Sequence, residues 1–215
     1  MSKLGKYVKI RERKPLGIQR RVVAHATTEG WQNAPHAGGQ YEPDITDFFA
    51  YYKNFKRKLQ NEHPDFPKVS FNTVILKAIA ESLKNAPELN SLLEFHPRSK
   101  TGMLKVAEHV NIAMPFVTPN KNMISPVIPD VGGKNLIELA EYIRELGQKV
   151  KNTNVNQLLR DVSKQERTHD LLRGKLSVIP SLLKGLMGKH KVKKLKGKAK
   201  KEYYSIPESD RLIPK

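Results

Sequence analysis

The sequence predicts an α/β fold, and three observations carry that prediction. Two stretches repeat apolar residues at helical spacing behind recognisable N-caps. Residues 109–130, "HVNIAMPFVTPNKNMISPVIPD", form two extended apolar runs on either side of a polar turn. Finally, long helices with apolar faces outnumber the strands that could cover them, so the sheet expected beside them is incomplete in these strands.

Each element follows from its own residues. Ile18, Val22 and Ala26 recur at helical spacing over residues 17–31, and Asn33-Ala34-Pro35 stops the pattern. Residues 36–43 contain glycine and are expected to be extended. Asp44 or Thr46 can cap a second helix, whose apolar face is Phe48, Phe49, Tyr52, Phe55 and Leu59 and whose other face is largely lysine. Ser70 opens the clearest helix, with Phe71, Val74, Ile75, Ala78, Ile79 and Leu83 on one broad face and Pro87 as its stop. Residues 88–95 read as a strand and 96–102 as a polar turn.

In the quoted stretch Val110, Ile112, Met114 and Phe116 share one parity, and Ile124, Pro126 and Ile128 share another. Pro115, Pro126 and Pro129 cannot donate to a ladder, so they belong at an edge, a bulge or a strand end. Asn135 and Glu138 form an N-x-x-E capping signature before Leu136, Leu139, Ile143 and Leu146. Residues 155–172 are expected to be helical. Beyond them comes an apolar stretch with Pro180 and several glycines, then a lysine-rich run of low complexity.

The chain has 215 residues, 38% of them hydrophobic, enough for one sizeable domain. It has no cysteine, which excludes a disulfide framework and a thiolate nucleophile and makes the cytoplasm the expected location. The basic start lacks the apolar stretch of a secretory signal, and no run is long and apolar enough to be a membrane span. Seven histidines occur without metal-ligand spacing, so no metal site is expected. The net charge of +18 is concentrated in two segments. Residues 1–21 carry eight basic side chains against Glu12, and the stretch from Lys189 to Lys201 carries eight lysines and no acid, leaving about +3 elsewhere.

Three ordered blocks resemble the catalytic domain of the 2-oxoacid dehydrogenase acyltransferase component, a family that shares its fold with chloramphenicol acetyltransferase. "RRVVAHATTEGWQNAPH", residues 20–36, is similar to the family's R-x-x-A helix running into Pro-His. "FNTVILKAIAESLKNAPELNSLL", residues 71–93, is similar to its central helix and the strand after it. The stretch 109–130, followed by "NLIELAEYIREL", resembles its V-N-I-G hairpin, T-P turn, P-V-I strand and helix. The resemblance spans residues 17–151. It implies a chloramphenicol acetyltransferase-like two-layer sandwich of mixed sheet and helices, C-terminally incomplete in this chain.

The resemblance also implies an activity: acyl transfer between coenzyme A and a dihydrolipoyl or other acceptor, with coenzyme A or acyl-CoA as substrate and no bound cofactor. Expected partners are a lipoylated protein and, for the intact form, two further copies in a homotrimer. Family catalysis uses a late His-x-x-x-Asp-Gly histidine as general base and a strand serine as oxyanion donor. The 215 residues contain neither, and "SDRLIPK" resembles the loop preceding that strand. No catalytic residue is therefore assigned, and the chain is expected to be inactive by itself. The loop 118–122 is one residue longer than the family's Thr-Pro-x-Gly turn and has no glycine.

Two residues are candidates for substrate contact. His36 could face a substrate channel or be a partly exposed strand histidine, and Ser125 could be a polar group of the acyl-donor channel or part of a purely structural hairpin. His25 and His109 lack an Asp or Ser at triad-like sequence position. The expected organisation is a basic N-terminal arm over 1–16, the N-terminal portion of the acyltransferase-like domain over 17–154, and over 155–215 an insertion with its Lys-rich segment and the connection to the missing catalytic strands. That insertion could be solvated, could meet an anionic membrane or acidic protein through the lysines from Lys189 to Lys201, or could grip nucleic acid; the absence of interleaved aromatics makes nucleic acid the least favoured. The alternative to an enzyme is a non-catalytic interaction module that docks through this insertion.

Overall fold

The computed structural model describes residues 9–12, 14–34, 37–119, 121–172 and 195–213. Among them are six α-helices: α1 (Ile18–Asn33), α2 (Thr46–Glu62), α3 (Phe71–Asn85), α4 (Leu136–Lys151), α5 (Val155–Leu172) and α6 (Gly197–Ser205). Six strands are also present: β1 (Ser91–His96), β2 (Thr101–Val106), β3 (Ile112–Ala113), β4 (Phe116–Val117), β5 (Met123–Ile124) and β6 (Val127–Ile128). The helices and antiparallel strands make an α/β fold, as the sequence predicts. One compact unit comprises Gln40–Thr153 with Ile206–Leu212, and the other Met1–Gly39, Asn154–Ser205 and Ile213–Lys215.

In the first unit, helix starts are decided locally. Ser70 Oγ accepts from the Thr73 amide at 3.1 Å, capping α3. Asn135 Oδ1 accepts from the Ile137 and Glu138 amides while Glu138 Oε2 accepts from the Asn135 amide, each at 2.9 Å, a complete capping box on α4. For α2 the work falls to Asp44, which accepts from both the amide and the hydroxyl of Thr46. Those two bonds favour the ionised carboxylate and hold its pKa below the ordinary value.

The stretch 109–130 is one hairpin interrupted by its prolines. β3 pairs with β6 (Ile112 opposite Ile128) and β4 with β5 (Phe116 opposite Ile124) in a single continuous antiparallel register. Between the two ladders the Met114 amide still bonds Pro126 O at 3.1 Å, but Pro126 has no N–H to return. At the open end the Val131 amide bonds Val110 O, one residue out of register, and Asp130 at φ 45° takes up the extra residue as a bulge.

The hairpin's inward parity meets α3 and α4. Ala80, Val110, Ile128, Val131, Leu139 and Leu146 form the buried cluster, with Leu76, Ile112, Met114 and Phe116 packed at its margin. Burying a side chain of this size contributes about 1.5–3 kcal/mol, so this cluster is what holds the hairpin to the helices. Tyr52 ties α2 to the segment before α3 by donating to Val69 O at 2.9 Å.

Three elements differ from the sequence expectation. The predicted strand 88–95 begins later, because Pro87–Leu89 forms a 3-10 turn first. The predicted polar turn is narrower, and Thr101–Val106 is a strand that completes a six-pair hairpin with β1. On α1, Val22 and Ala26 of the face marked by helical spacing are exposed, as are Val23 and Trp31.

In the second unit α1 packs against α5. The lysine-rich run, of low complexity in the sequence, ends in α6, which buries Tyr203 and is tied to α5 by Tyr204. The apolar part of the insertion, like Lys189, lies outside the described residues.

Candidate functional site

The hairpin turn between β4 and β5 is the best-organised feature among the residues singled out from the sequence. Thr118 is buried and closes the turn with its whole polar complement. Its amide donates to Asn122 O at 2.8 Å, its carbonyl accepts from the Lys121 amide at 2.9 Å, and its hydroxyl donates to Asn122 O at 3.0 Å while accepting from the Asn122 amide at 3.2 Å. Lys121 has φ 57°, so a lysine occupies left-handed backbone space where glycine is the natural residue. The turn lacking glycine therefore closes at the expense of backbone strain, held by the Thr118 side chain.

Ser125 follows β5 and is exposed. The continuous register sets it opposite Pro115, which has no N–H to give. A hydroxyl at a gap in the ladder can contact a ligand without breaking a sheet bond. His36 lies outside the described residues. His25, on α1, is exposed and 3.9 Å from Glu29 one turn on.

His109 does gain a partner that its sequence position hides. Its Nδ1 is 3.5 Å from Asp130 Oδ1, and both side chains are about half exposed. Asp130 is held in place: its amide donates to Asn111 Oδ1 at 2.9 Å and its Oδ1 accepts from the Gly133 amide at 3.0 Å. Lys134 reaches Pro129 O at 2.7 Å, and Lys77 reaches Gly132 O at 2.9 Å. Lys77 also pairs with Glu81, and that hydrogen bond, the largest cause, lowers the Glu81 pKa. Hairpin parity alone does not signal this pair: the register sets residue 110, not 109, across from 130, and the bulge at Asp130 brings the two side chains together. Chemically the pair can orient an imidazole, but no serine or thiol nucleophile stands beside it among the described contacts.

Two open clefts lie elsewhere in this unit. One, of about 640 Å³, runs along the start of α2 between Pro43, Asp44, Phe49 and Lys53. The other, of about 530 Å³, lies between Phe66, Lys68, Glu141 and Arg144. Arg144 is paired with Glu141, which raises its pKa, so its charge is already engaged. Among the described residues no group of three or more His, Asp or Glu side chains converges as a metal ion requires, and no helix is long and apolar enough to cross a membrane.

The comparison that decides the family covers most of these elements. The model of the 2-oxoacid dehydrogenases acyltransferase (catalytic domain) matches residues 9–166. The chain belongs to this family. The acyltransferase-family chain is 32% identical over 126 residues to the dihydrolipoyllysine-residue acetyltransferase component of the pyruvate dehydrogenase complex of Pseudomonas aeruginosa, a match over 59% of this chain and 22% of that protein. Its fold is similar to that of a chain in the cubic core of the pyruvate dehydrogenase multienzyme complex, with TM-score 0.54 and 28% identity over 70% of this chain and 58% of the other. The same figures describe its similarity to dihydrolipoamide acetyltransferase of Azotobacter vinelandii, whose catalytic mechanism has been examined at a serine, a histidine and an asparagine. The acyltransferase-family chain thus spans less than two thirds of the length of the relatives it matches.

Proposed function

We propose that this chain supplies the acyl-donor channel wall and the self-assembly surface of an acyltransferase that moves an acyl group between coenzyme A and a dihydrolipoyl or other thiol acceptor. The observation that carries the reading is the in-register hairpin with its Thr118-locked turn, seated on α3 and α4 within the family match. In this reading Ser125, and His36 with it, contact the acyl donor, and acyl-CoA enters as substrate. The general base and oxyanion donor that the family resemblance calls for are not among the 215 residues, so the polypeptide by itself shows no acyl transfer.

A thiol-release assay with acetyl-CoA and dihydrolipoamide tests this. Background rate is the expected result. Turnover that survives replacement of His25, His36 and His109 by Ala overturns this account of where the chemistry lives.

The reading extends to a homotrimer. Leu93 and Phe95 on one face of the β1–β2 hairpin, and Leu92 and Met103 on the other, are each more than half exposed, so both faces offer apolar area suited to further copies. Sedimentation of the chain is expected to show oligomers that Leu92→Lys with Leu93→Lys dissolves. A wild-type monomer at every concentration tested sinks the assembly part of the proposal. The cytoplasm is the proposed location.

A further inference from the structure

The acyltransferase reading leaves the lysine-rich end of the chain without a task, and α6 is its described part. Lys196, Lys198, Lys200 and Lys201 are all exposed. Lys198, Lys200 and Lys201 are carried by a nine-residue helix that is fastened, not free, and Lys196 lies just before its first residue. Tyr203 is buried, and the Tyr204 hydroxyl donates to Asp161 Oδ2 at 3.1 Å and accepts from Gln157 Nε2 at 3.0 Å. Gln157 Nε2 also donates to Asp161 Oδ1 at 2.9 Å, so one tyrosine closes a three-residue ring with α5. Lys198 and Lys201 are three residues apart and share a face, and the nearest acid on the helix, Glu202, is 3.9 Å from Lys198. The helix N-terminus adds its partial positive charge at the same end. The result is a fixed, outward cationic patch with almost no internal neutralisation.

We propose that α6 docks this acyltransferase-family chain on an anionic phospholipid surface. Charge complementarity requires an anionic partner, and residue type selects among anions. Residues 171–201 carry ten lysines, one arginine and no acid. Lysine is a compact charge suited to a diffuse field, whereas paired carboxylates of an acidic protein favour the bidentate arginine fork. No aromatic residue occurs in that stretch to stack on bases. Instead the lysines are interleaved with leucine, isoleucine, valine and methionine, which a bilayer interface accommodates together with the charge. Tyr204, partly exposed beneath Lys200 at 5.9 Å, has the amphipathic character of residues at headgroup level.

The test is co-sedimentation of the full chain with vesicles of phosphatidylcholine alone and of phosphatidylcholine mixed with phosphatidylglycerol. Binding to the mixed vesicles only, weakening as salt is raised, is expected. Replacing Lys196, Lys198, Lys200 and Lys201 by Gln, with helix content unchanged by circular dichroism, is expected to lower the partition coefficient by about 600-fold, because each of the four lysines near the surface contributes about fivefold. Equal binding to neutral vesicles, or an unchanged partition in the four-lysine variant, overturns the proposal. So does preferential retention by a single-stranded RNA oligonucleotide in competition with the vesicles, which assigns the patch to nucleic acid. The assay uses no acyl substrate, so its outcome is independent of the proposed transferase activity.

Discussion

The two hairpins of the larger unit make an instructive pair. β1 and β2 form an uninterrupted ladder of six residue pairs, from Ser91 opposite Val106 to His96 opposite Thr101, yet Leu92, Leu93, Phe95, Met103, Leu104 and Val106 are all exposed. The 109–130 hairpin is broken by Pro115 and Pro126 into ladders of two pairs each, yet it carries Val110 and Ile128 into the buried cluster. Regular hydrogen bonding and burial are thus separate properties. A backbone bond formed in water contributes about 0.5–1.5 kcal/mol net, whereas packing a large apolar side chain contributes more, so the irregular hairpin is the one anchored to the helices. The regular one is a surface with open edges, of the kind sheet proteins cover with another chain or element.

Substitutions in matched positions break the comparison most directly. Ile128 is fully buried, and Ile128→Ala is expected to destabilise by about 2–5 kcal/mol in denaturant unfolding. Leu92→Ala, at 72% exposure, is expected to change the dissociated chain by no more than about 0.5 kcal/mol. Similar losses at both sites would show that β1–β2 is packed within the same chain after all.

Thr118 is next in size. Thr118→Val keeps the shape but leaves the Asn122 amide without its side-chain acceptor, at an expected cost of about 1–3 kcal/mol. Amide exchange in the turn should speed up while exchange in β1–β2 stays unchanged; an unaltered turn would remove Thr118 as its lock.

A gain is expected one residue before Asn122. Lys121→Gly relieves a left-handed lysine that costs about 1–2 kcal/mol, and loses part of that benefit to the greater freedom of glycine when unfolded. The net expectation is a stabilisation of about 0.5–1 kcal/mol, read as a higher denaturant midpoint, and a lower midpoint would show that the strain is not there.

The smallest effect lies outside both hairpins and asks whether a side-chain clasp can replace a packed face. Burial, then the bond to Asp161, raises the Tyr204 phenol above its ordinary pKa of 10.0. A raised folded value favours the protonated form, so the clasp's contribution is complete below the ordinary value and is lost as pH rises through the folded one. Alkaline titration by circular dichroism should show helix loss in the wild type that Tyr204→Phe no longer shows at that step. Identical curves for the two proteins would separate α6 from the clasp.

What the sequence determined alone is what rests on neighbours a few residues apart. The Ser70 cap and the Asn135–Glu138 box are contacts across three residues, and the hairpin's inward parity follows from the two-residue period of an extended chain. The family was legible for the same reason, since its blocks are local patterns in order.

Tertiary structure decided the rest, because long-range partners leave no local trace. β2 escaped notice because Thr101, Gly102 and Lys105 interrupt any alternation, and only the pairing with β1 makes that stretch a strand. Nine residues rich in lysine are too short to hold a helix in water, and α6 exists through Tyr203 and Tyr204. Asp130 reaches His109 because a bulge turns the chain there. The opposite fates of two apolar hairpins were settled the same way, by which of them meets α3 and α4, since the hydrophobic effect rewards area removed from water and cannot be read from residue type alone.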